Sequence, residues 1–202
     1  MEVRADVIHR LKEHIKSKRS EFIAVTGRRR VGKTYIIDNV YESHLCFRLT
    51  GIQNGSLSEQ LVNFTQKLIS HSKSTLIAIP KNWQEAFILL KNYLQTLNKK
   101  KKHVIFIDEL PWVNTAKSGF LQLLAHLWND FLSKESNFIL VVCGSSTSWI
   151  TKKIIRDKGG LHNRLTDVIR LKPFTIQETK AFLHHKGIHM TNQQVIETYM
   201  VM

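Results

Sequence analysis

Cysteine is scarce in this chain, and the two that occur are Cys46 and Cys143. A pair so widely separated supplies neither the close ligand spacing of a zinc site nor the framework of a disulfide-stapled fold. Both cysteines fall in apolar segments that predict strands. We therefore expect two small, buried thiols in the reducing environment of a cytoplasm.

Long apolar runs are also missing. The longest, such as residues 138–143, have the length of a strand and fall far short of a membrane span. Basic side chains interrupt the amino-terminal region at Arg4, Arg10 and Lys12, so it shows no secretory signal. We expect a cytoplasmic protein that does not enter a membrane.

Negative charge is in short supply: 16 acidic residues stand against 30 lysines and arginines, and the formal net charge is +14. The excess is densest at residues 28–30, 99–102 and 152–158. Such a balance favours polyanionic partners, DNA among them. A lysine-rich solvated surface explains the charge equally well, because the basic residues are not interleaved with aromatic ones as in a nucleic-acid-binding module.

The strongest positive signal is a phosphate-binding pattern, G-x-x-x-x-G-K-[ST]. The segment that fits it at every constrained position is Gly27-Arg28-Arg29-Arg30-Val31-Gly32-Lys33-Thr34. An apolar run at residues 22–25 predicts a strand before this loop, and residues 35–40 predict a helix after it. A strand, a glycine loop and a helix form the context in which such a pattern binds phosphate. The alternative is an ordinary glycine turn.

We expect the whole loop and the following Tyr35 to bind nucleotide. Glycines let successive backbone N–H groups point at phosphate oxygens, and the helix start adds the positive end of its dipole. Lys33 is predicted to reach the β- and γ-phosphates, and the Thr34 hydroxyl is predicted to ligate Mg²⁺. The arginines at residues 28–30 either face solvent or add to the field that attracts anions, and the sequence leaves both interpretations open.

A second pattern lies downstream, where an apolar run ends in two acids. Residues 104–107 predict a strand buried on both faces, typical of a parallel sheet, and Asp108 and Glu109 follow it. Ligands bind beyond the carboxyl ends of such strands. We therefore assign Asp108 to the Mg²⁺ ion and Glu109 to general-base activation of a water. Without the glycine loop upstream, a strand that ends in a polar turn would explain this pattern as well.

Strands and helices alternate along most of the chain, which predicts an α/β fold. The predicted strands cover about 22–26, 45–49, 104–107, 138–143 and 168–171. The predicted helices cover about 5–19, 56–72, 83–97, 118–132 and 175–186, and another begins near 191. Everything after Pro173 is predicted to be helical. We divide the chain into a core, residues 1–174, and a partial helical lid, residues 175–202.

On these residues the chain resembles the AAA+-type P-loop ATPases of bacteria and archaea that are grouped with the STAND class. The segments that carry the resemblance, besides the glycine loop, are residues 20–25, 107–112, 142–149, 159–164 and 171–175. The resemblance implies a three-layer P-loop NTPase whose central parallel sheet has the order 5-1-4-3-2, followed by a small helical lid. It also implies ATP and Mg²⁺ as ligands, ADP as a product and a homo-oligomer as the working form.

The resemblance implies two further site residues. In AAA+ proteins a polar residue at the tip of the fourth strand contacts the γ-phosphate or the attacking water, which implies Ser145, with Ser146 as second candidate. A serine-rich turn that caps the next helix is the alternative. An arginine before the fifth strand often acts in trans on a neighbouring subunit, which implies that Arg164 is an arginine finger. A surface arginine paired with Asp167 is the alternative.

The chain departs from the resemblance at both ends. STAND relatives usually carry a Gly-Arg-x-x-Glu-like motif before the first helix, and only Val3-Arg4-Ala5-Asp6 lies near that position, so no adenine contact is assigned. The sequence stops inside the predicted lid, so no nucleotide-sensing lid arginine is assigned. The winged helix and nuclease-like domain that usually follow have no counterpart here. We expect a truncated gene or a fragment, and we carry over no nuclease activity.

Together these features predict an ATPase that hydrolyses ATP to ADP and phosphate by in-line attack of water. The predicted catalytic residues are Lys33, Glu109, Ser145 and Arg164. Two other hypotheses stay open: an ATP-dependent oligomerisation switch with little turnover, and a DNA-handling ATPase that uses the +14 charge. Small-molecule kinases do not usually place Asp-Glu at the end of this strand. No guanine-reading N-K-x-D motif is present, which favours ATP.

Overall fold

A parallel sheet of five strands forms the centre of the computed structural model, which describes residues 4–74, 77–156, 159–161 and 163–201. Val3, residues 157–158 and His162, which the sequence analysis names, lie outside the described residues. The strands are β1 (Glu21–Thr26), β2 (Leu45–Thr50), β3 (His103–Asp108), β4 (Phe138–Gly144) and β5 (Asp167–Arg170). Their order across the sheet is β2-β3-β4-β1-β5, which confirms the predicted order and places β4 between the two motif-bearing strands.

Helices cover both faces of the sheet and complete three layers. In the described part of the chain they are α1 (Ala5–Lys16), α2 (Lys33–Tyr41), α3 (Leu57–Ser72), α4 (Trp83–Gln95), α5 (Leu110–Val113), α6 (Phe120–Asp130), α7 (Thr147–Ile150), α8 (Ile176–His185) and α9 (Asn192–Val201). A π-helical turn, Thr151–Ile155, continues α7. None of the helices in these described ranges has the length and apolar character that crossing a bilayer requires.

The central strands are buried along their whole length because each one feeds two cores. Every residue of β1 and β4 is buried. In β1, Phe22 and Ala24 pack with residues of α3, α4 and α6 on one face of the sheet. Ile23 and Val25 pack with residues of α1 and α2 on the other face. This alternation is the period of two that a strand imposes, with both faces covered as the continuous apolar runs predicted.

Capping chemistry defines the start of two predicted helices. At α3, the Ser56 hydroxyl accepts from the Glu59 backbone N–H, and the Glu59 carboxylate accepts from the Ser56 N–H. Thr175 and Glu178 form the same reciprocal pair at the start of α8. The two helices therefore begin close to their predicted starts at residues 56 and 175, and each capping box satisfies helix N–H groups that have no partner within the helix.

The largest difference at a helix end is in the first helix. The first helix ends at Lys16, about three residues before the predicted end. Ser17 is extended, and its hydroxyl accepts from the Arg19 N–H and donates to the Glu21 carboxylate. A serine hydroxyl that bonds to nearby backbone offers the chain an alternative to another helical turn. The segment therefore leaves the helix early and leads directly into β1.

Candidate functional site

The glycine loop joins β1 to α2 and has backbone angles that explain its glycines. Gly32 precedes α2 with φ of 83°, a left-handed conformation that glycine adopts without the cost of a Cβ. At Gly27, a Cβ would lie only 2.4 Å from the Leu171 carbonyl oxygen at the end of β5. Glycine is therefore needed at one position for its conformation and at the other for the close approach of β5.

The side chain of Lys33 folds back against the backbone of this loop. Its ammonium Nζ donates to the Gly27 carbonyl at 2.9 Å and to the Arg28 carbonyl at 2.8 Å. Only 6% of the residue is exposed. Two hydrogen bonds to backbone therefore hold the positive charge against the loop.

The two sequence motifs meet at Thr34 and Asp108. The Thr34 hydroxyl donates to Asp108 Oδ2 at 2.8 Å, although 74 residues separate them in the chain. Asp108 lies at the end of β3 and is buried, whereas Thr34 is exposed at the start of α2. The two residues predicted to ligate Mg²⁺ thus present hard oxygen donors side by side, and Mg²⁺ in nucleotide sites takes only one or two such protein ligands.

The second oxygen of Asp108 also has partners. Oδ1 accepts from the Cys143 thiol, with Sγ at 2.7 Å, and from the Glu109 backbone N–H at 2.9 Å. Burial, and then the charge of Asp108, raise the pKa of Cys143 well above its usual value, and the nearby charge of Lys33 opposes this shift. The thiol therefore stays protonated and can donate to the carboxylate.

Glu109 is engaged by Ser145 across the β3–β4 pair. Glu109 Oε2 accepts from both the Ser145 N–H and the Ser145 hydroxyl, each at 3.0 Å. Glu109 has a left-handed backbone with φ of 47°, and the short helix α5 begins directly after it. The sequence analysis did not predict α5. Ser146 is the residue before α7, but its side chain makes no capping hydrogen bond there.

The arginine triplet lies on the outside of the loop. Arg28, Arg29 and Arg30 are all exposed. The Arg29 guanidinium carbon lies 5.7 Å from the centre of the Trp112 ring, a cation–π contact. Trp112 is therefore covered by a loop arginine, in keeping with the solvent-facing interpretation of the triplet.

Tyr35 and Arg4 connect the loop to the chain beyond β5. The exposed Tyr35 ring meets Phe182 of α8 edge-on, with 6.2 Å between ring centroids. Arg4 donates to the Val31 carbonyl at 2.7 Å and to the Lys172 carbonyl at 2.6 Å, and its guanidinium also lies 4.3 Å from the centre of a phenylalanine ring. Sequence reasoning left Arg4 without a role because no helix or strand pattern predicts these carbonyl contacts.

The structure does not bring Arg164 to the other candidate residues. Arg164 is exposed and precedes β5, whose first residue, Asp167, is paired with Ile23 of β1. Ile23 lies four residues before the glycine loop, which places the start of β5 about 13 Å from the loop along the strand direction. Asp167 pairs instead with Arg10 and with His14, whose Nε2 is 2.9 Å from Oδ2. The alternative role of Arg164, a pair with Asp167, is therefore wrong.

Comparisons with known proteins agree with this architecture. The chain is 26% identical over 179 residues to an uncharacterized protein of Methanocaldococcus jannaschii, which covers 89% of this chain and 37% of that protein. A Walker-type ATPase of Pyrococcus abyssi superposes with a TM-score of 0.63 at 18% identity, covering 96% of this chain and 61% of the other. The ORC2 protein of Aeropyrum pernix, solved in ADPNP and ADP complexes, superposes with a TM-score of 0.66 at 12% identity, covering 93% of this chain and 52% of the other.

These relatives are all longer than the present chain, which spans between 37% and 61% of their lengths. At such low identities the solved structures show a common fold and no more. The family is shown by a separate match: the sequence profile of a family described as an ATPase domain predominantly from Archaea matches residues 4–199. The chain belongs to this family of ATPase domains found predominantly in Archaea.

Proposed function

We propose that this domain binds ATP with Mg²⁺ and hydrolyses it to ADP and phosphate. The observation that carries the proposal is the contact between Thr34 and Asp108, which joins the glycine loop to the end of β3. A crevice with a lysine, a hydroxyl and a carboxylate at one edge of a parallel sheet has the chemistry to hold a triphosphate. The nucleotide complexes of the Aeropyrum pernix ORC2 protein support the same class of ligand.

The proposed roles follow from the atoms that each residue presents. Thr34 and Asp108 would hold Mg²⁺, which on binding would neutralise phosphate charge. Lys33 contributes a second positive charge at the loop, and its Nζ moves from backbone carbonyls to phosphate oxygens. The backbone N–H groups of residues 27–32 and the start of α2 bind the remaining oxygens. Together these groups stabilise negative charge as the terminal phosphoryl group is transferred.

We assign to Glu109 the activation of the water that attacks the phosphate. Its carboxylate takes a proton from this water, while Ser145 holds Oε2 through two hydrogen bonds. Ser145 thus fixes the direction in which the carboxylate points and is the proposed sensor of the γ-phosphate. The division into a core of residues 1–174 and a partial lid of residues 175–202 also belongs to this proposal, as does the STAND-type AAA+ assignment.

Arg164 is proposed to act on a neighbouring subunit. Its exposure, and its place toward the amino-terminal edge of the sheet, make it a poor partner for its own nucleotide. We expect turnover per subunit to rise with protein concentration in the wild type, and Arg164→Ala to remove this rise without changing ATP affinity. Steady-state phosphate release measured over a range of concentrations tests the expectation.

Mixing provides the control for this experiment. Arg164→Ala keeps Glu109, and Glu109→Gln keeps Arg164, so a mixture of the two variants should turn over ATP faster than either variant alone if the arginine acts in trans. Turnover that is independent of concentration would contradict the finger. If nucleotide binding and assembly persist but hydrolysis is absent at every concentration, the domain is an ATP-dependent switch.

A basic surface at the opposite edge of the sheet favours DNA as a second partner. Residues 99–101 are exposed lysines in the loop before β3. The ammonium of Lys102 donates to the carbonyls of Arg19 and Ser136, which holds this loop against the amino ends of β1 and β4. The Aeropyrum pernix ORC1 protein, which was solved in complex with DNA, superposes with a TM-score of 0.60 at 13% identity, covering 93% of this chain and 50% of the other.

The DNA hypothesis predicts a salt dependence that one loop controls. The slope of the logarithm of the DNA-binding constant against the logarithm of the salt concentration is negative. Replacing Lys99, Lys100 and Lys101 with alanine should make this slope shallower by about 2–3 for duplex DNA, because each phosphate contact contributes about 0.9 to its magnitude. A matched triple variant of exposed lysines elsewhere, at residues 12, 67 and 81, has the same net charge and should keep the slope. Absence of binding by the wild type at low salt would remove this hypothesis.

A further inference from the structure

The strand that separates the two motifs carries a cysteine at the level of the predicted metal ligand. In the parallel register, Val25 of β1 pairs with Cys143 of β4, and Ile107 of β3 pairs with Val142. The next residues along these two strands, Asp108 of β3 and Cys143 of β4, therefore lie at the same level of the sheet. Neighbouring strands lie about 4.8 Å apart, so Cys143 stands between the strand that leads into the glycine loop and the strand that ends in Asp108.

Among the residues that the structure describes, three donors bind the Asp108 carboxylate, and they divide between its two oxygens. The Cys143 thiol and the Glu109 N–H donate to Oδ1, and the Thr34 hydroxyl donates to Oδ2. Cys143 is the only one of the three that comes from β4, and no part of it is exposed. The Glu109 N–H is adjacent to Asp108 in the chain, so within the described part of the chain the thiol is the one donor to Oδ1 that comes from a different strand.

We propose that Cys143 is a positioning residue for the Mg²⁺ site: its thiol holds Asp108 Oδ1, so that Oδ2 faces the Thr34 hydroxyl. The inference rests on the proposed function, since it names a residue that acts on the metal through Asp108. Hydrogen-bond partners of metal ligands fix the ligand orientation, and their loss typically weakens metal binding about 10- to 100-fold. Alanine at this position removes the donor, whereas serine keeps one.

The chain offers a matched control in Cys46. It is also a buried free thiol in a strand, and its Sγ lies 3.3 Å from the Val104 carbonyl oxygen. Cys46→Ala therefore deletes the same atom from a buried strand, in β2, without touching Asp108. Thermal unfolding of Cys46→Ala and Cys143→Ala separates a loss of packing, which both variants share, from a loss at the metal site.

The experiment is a titration of Mn²⁺ into protein saturated with a non-hydrolysable ATP analogue, followed by electron paramagnetic resonance of the free ion. We expect Cys143→Ala to bind Mn²⁺ about 10-fold more weakly than the wild type, and Cys143→Ser and Cys46→Ala to stay within about twofold. Affinity for the analogue without divalent metal, measured in EDTA, should be the same in all four proteins, because the thiol acts only through the metal ligand.

Two results would overturn the inference while leaving the proposed function intact. One is that Cys143→Ala binds Mn²⁺ as tightly as the wild type does. The other is that Cys143→Ser loses as much Mn²⁺ affinity as Cys143→Ala. A wild-type protein that binds no nucleotide, with or without metal, would instead overturn the proposed function and the inference with it. Titrations of the wild type with the nucleotide analogue, one in EDTA and one with Mn²⁺, distinguish these cases.

Discussion

We expect Lys33→Ala to abolish ATP binding. Lys33 is only 6% exposed and its ammonium is held by two loop carbonyls, so it sits where the loop would enclose a phosphate. Hydrogen bonds to charged groups contribute about 1.5–3 kcal/mol each, and two of them correspond to an affinity loss of about 100-fold or more. Equilibrium binding of a fluorescent ATP analogue, measured with and without Mg²⁺, gives the affinity directly.

The neighbouring arginine provides the control for Lys33→Ala. Arg28→Ala removes one positive charge from the same loop, but it keeps the backbone carbonyl that Lys33 contacts. An exposed charge in water contributes little, so the affinity should fall by no more than about threefold. Equal losses in the two variants would mean that the loop binds through its overall field, which is the other interpretation of the arginine triplet. Unchanged affinity in Lys33→Ala would contradict the phosphate-binding role.

The contact between Thr34 and Asp108 was accessible to sequence reasoning for a physical reason. Parallel strands with continuous apolar runs must be buried, and their carboxyl ends lie at one edge of the sheet. A hydroxyl at the start of α2 and a carboxylate at the end of β3 therefore had to approach each other once β1 and β3 shared that sheet. The strand order itself came from the resemblance, because apolar patterns alone do not specify which strands are neighbours.

Other parts of the candidate site depend on geometry that a residue pattern does not carry. The thiol of Cys143 was predicted to be buried, and it is, but its contact with Asp108 requires the register of β3 against β4. The contacts of Arg4 had no signal in the residue pattern, because they depend on a left-handed backbone angle and on carbonyl groups, which every residue possesses.

Glu109→Gln should leave ATP binding intact and stop turnover. An amide oxygen can still accept the two hydrogen bonds from Ser145, so the side chain keeps its place at the tip of β3. The amide cannot take a proton from water, and loss of a general base typically lowers the rate by a factor of about 100 to 10,000. We expect nucleotide affinity within about twofold of the wild type, because Glu109 contacts neither the loop nor the predicted metal ligands through its carboxylate.

Two comparisons make the result specific to the base. Glu135→Gln alters a carboxylate that pairs with Lys99 at the opposite edge of the sheet, and it should hydrolyse ATP at the wild-type rate. Ser145→Ala keeps the carboxylate and the backbone N–H that donates to Oε2 but removes the hydroxyl donor, so it should lower turnover less than Glu109→Gln does. Normal hydrolysis by Glu109→Gln would assign the proton transfer to another group. If Ser145→Ala is as inactive as Glu109→Gln, then the direction of the carboxylate matters as much as its basicity, since only an oriented base can reach the proton of a bound water.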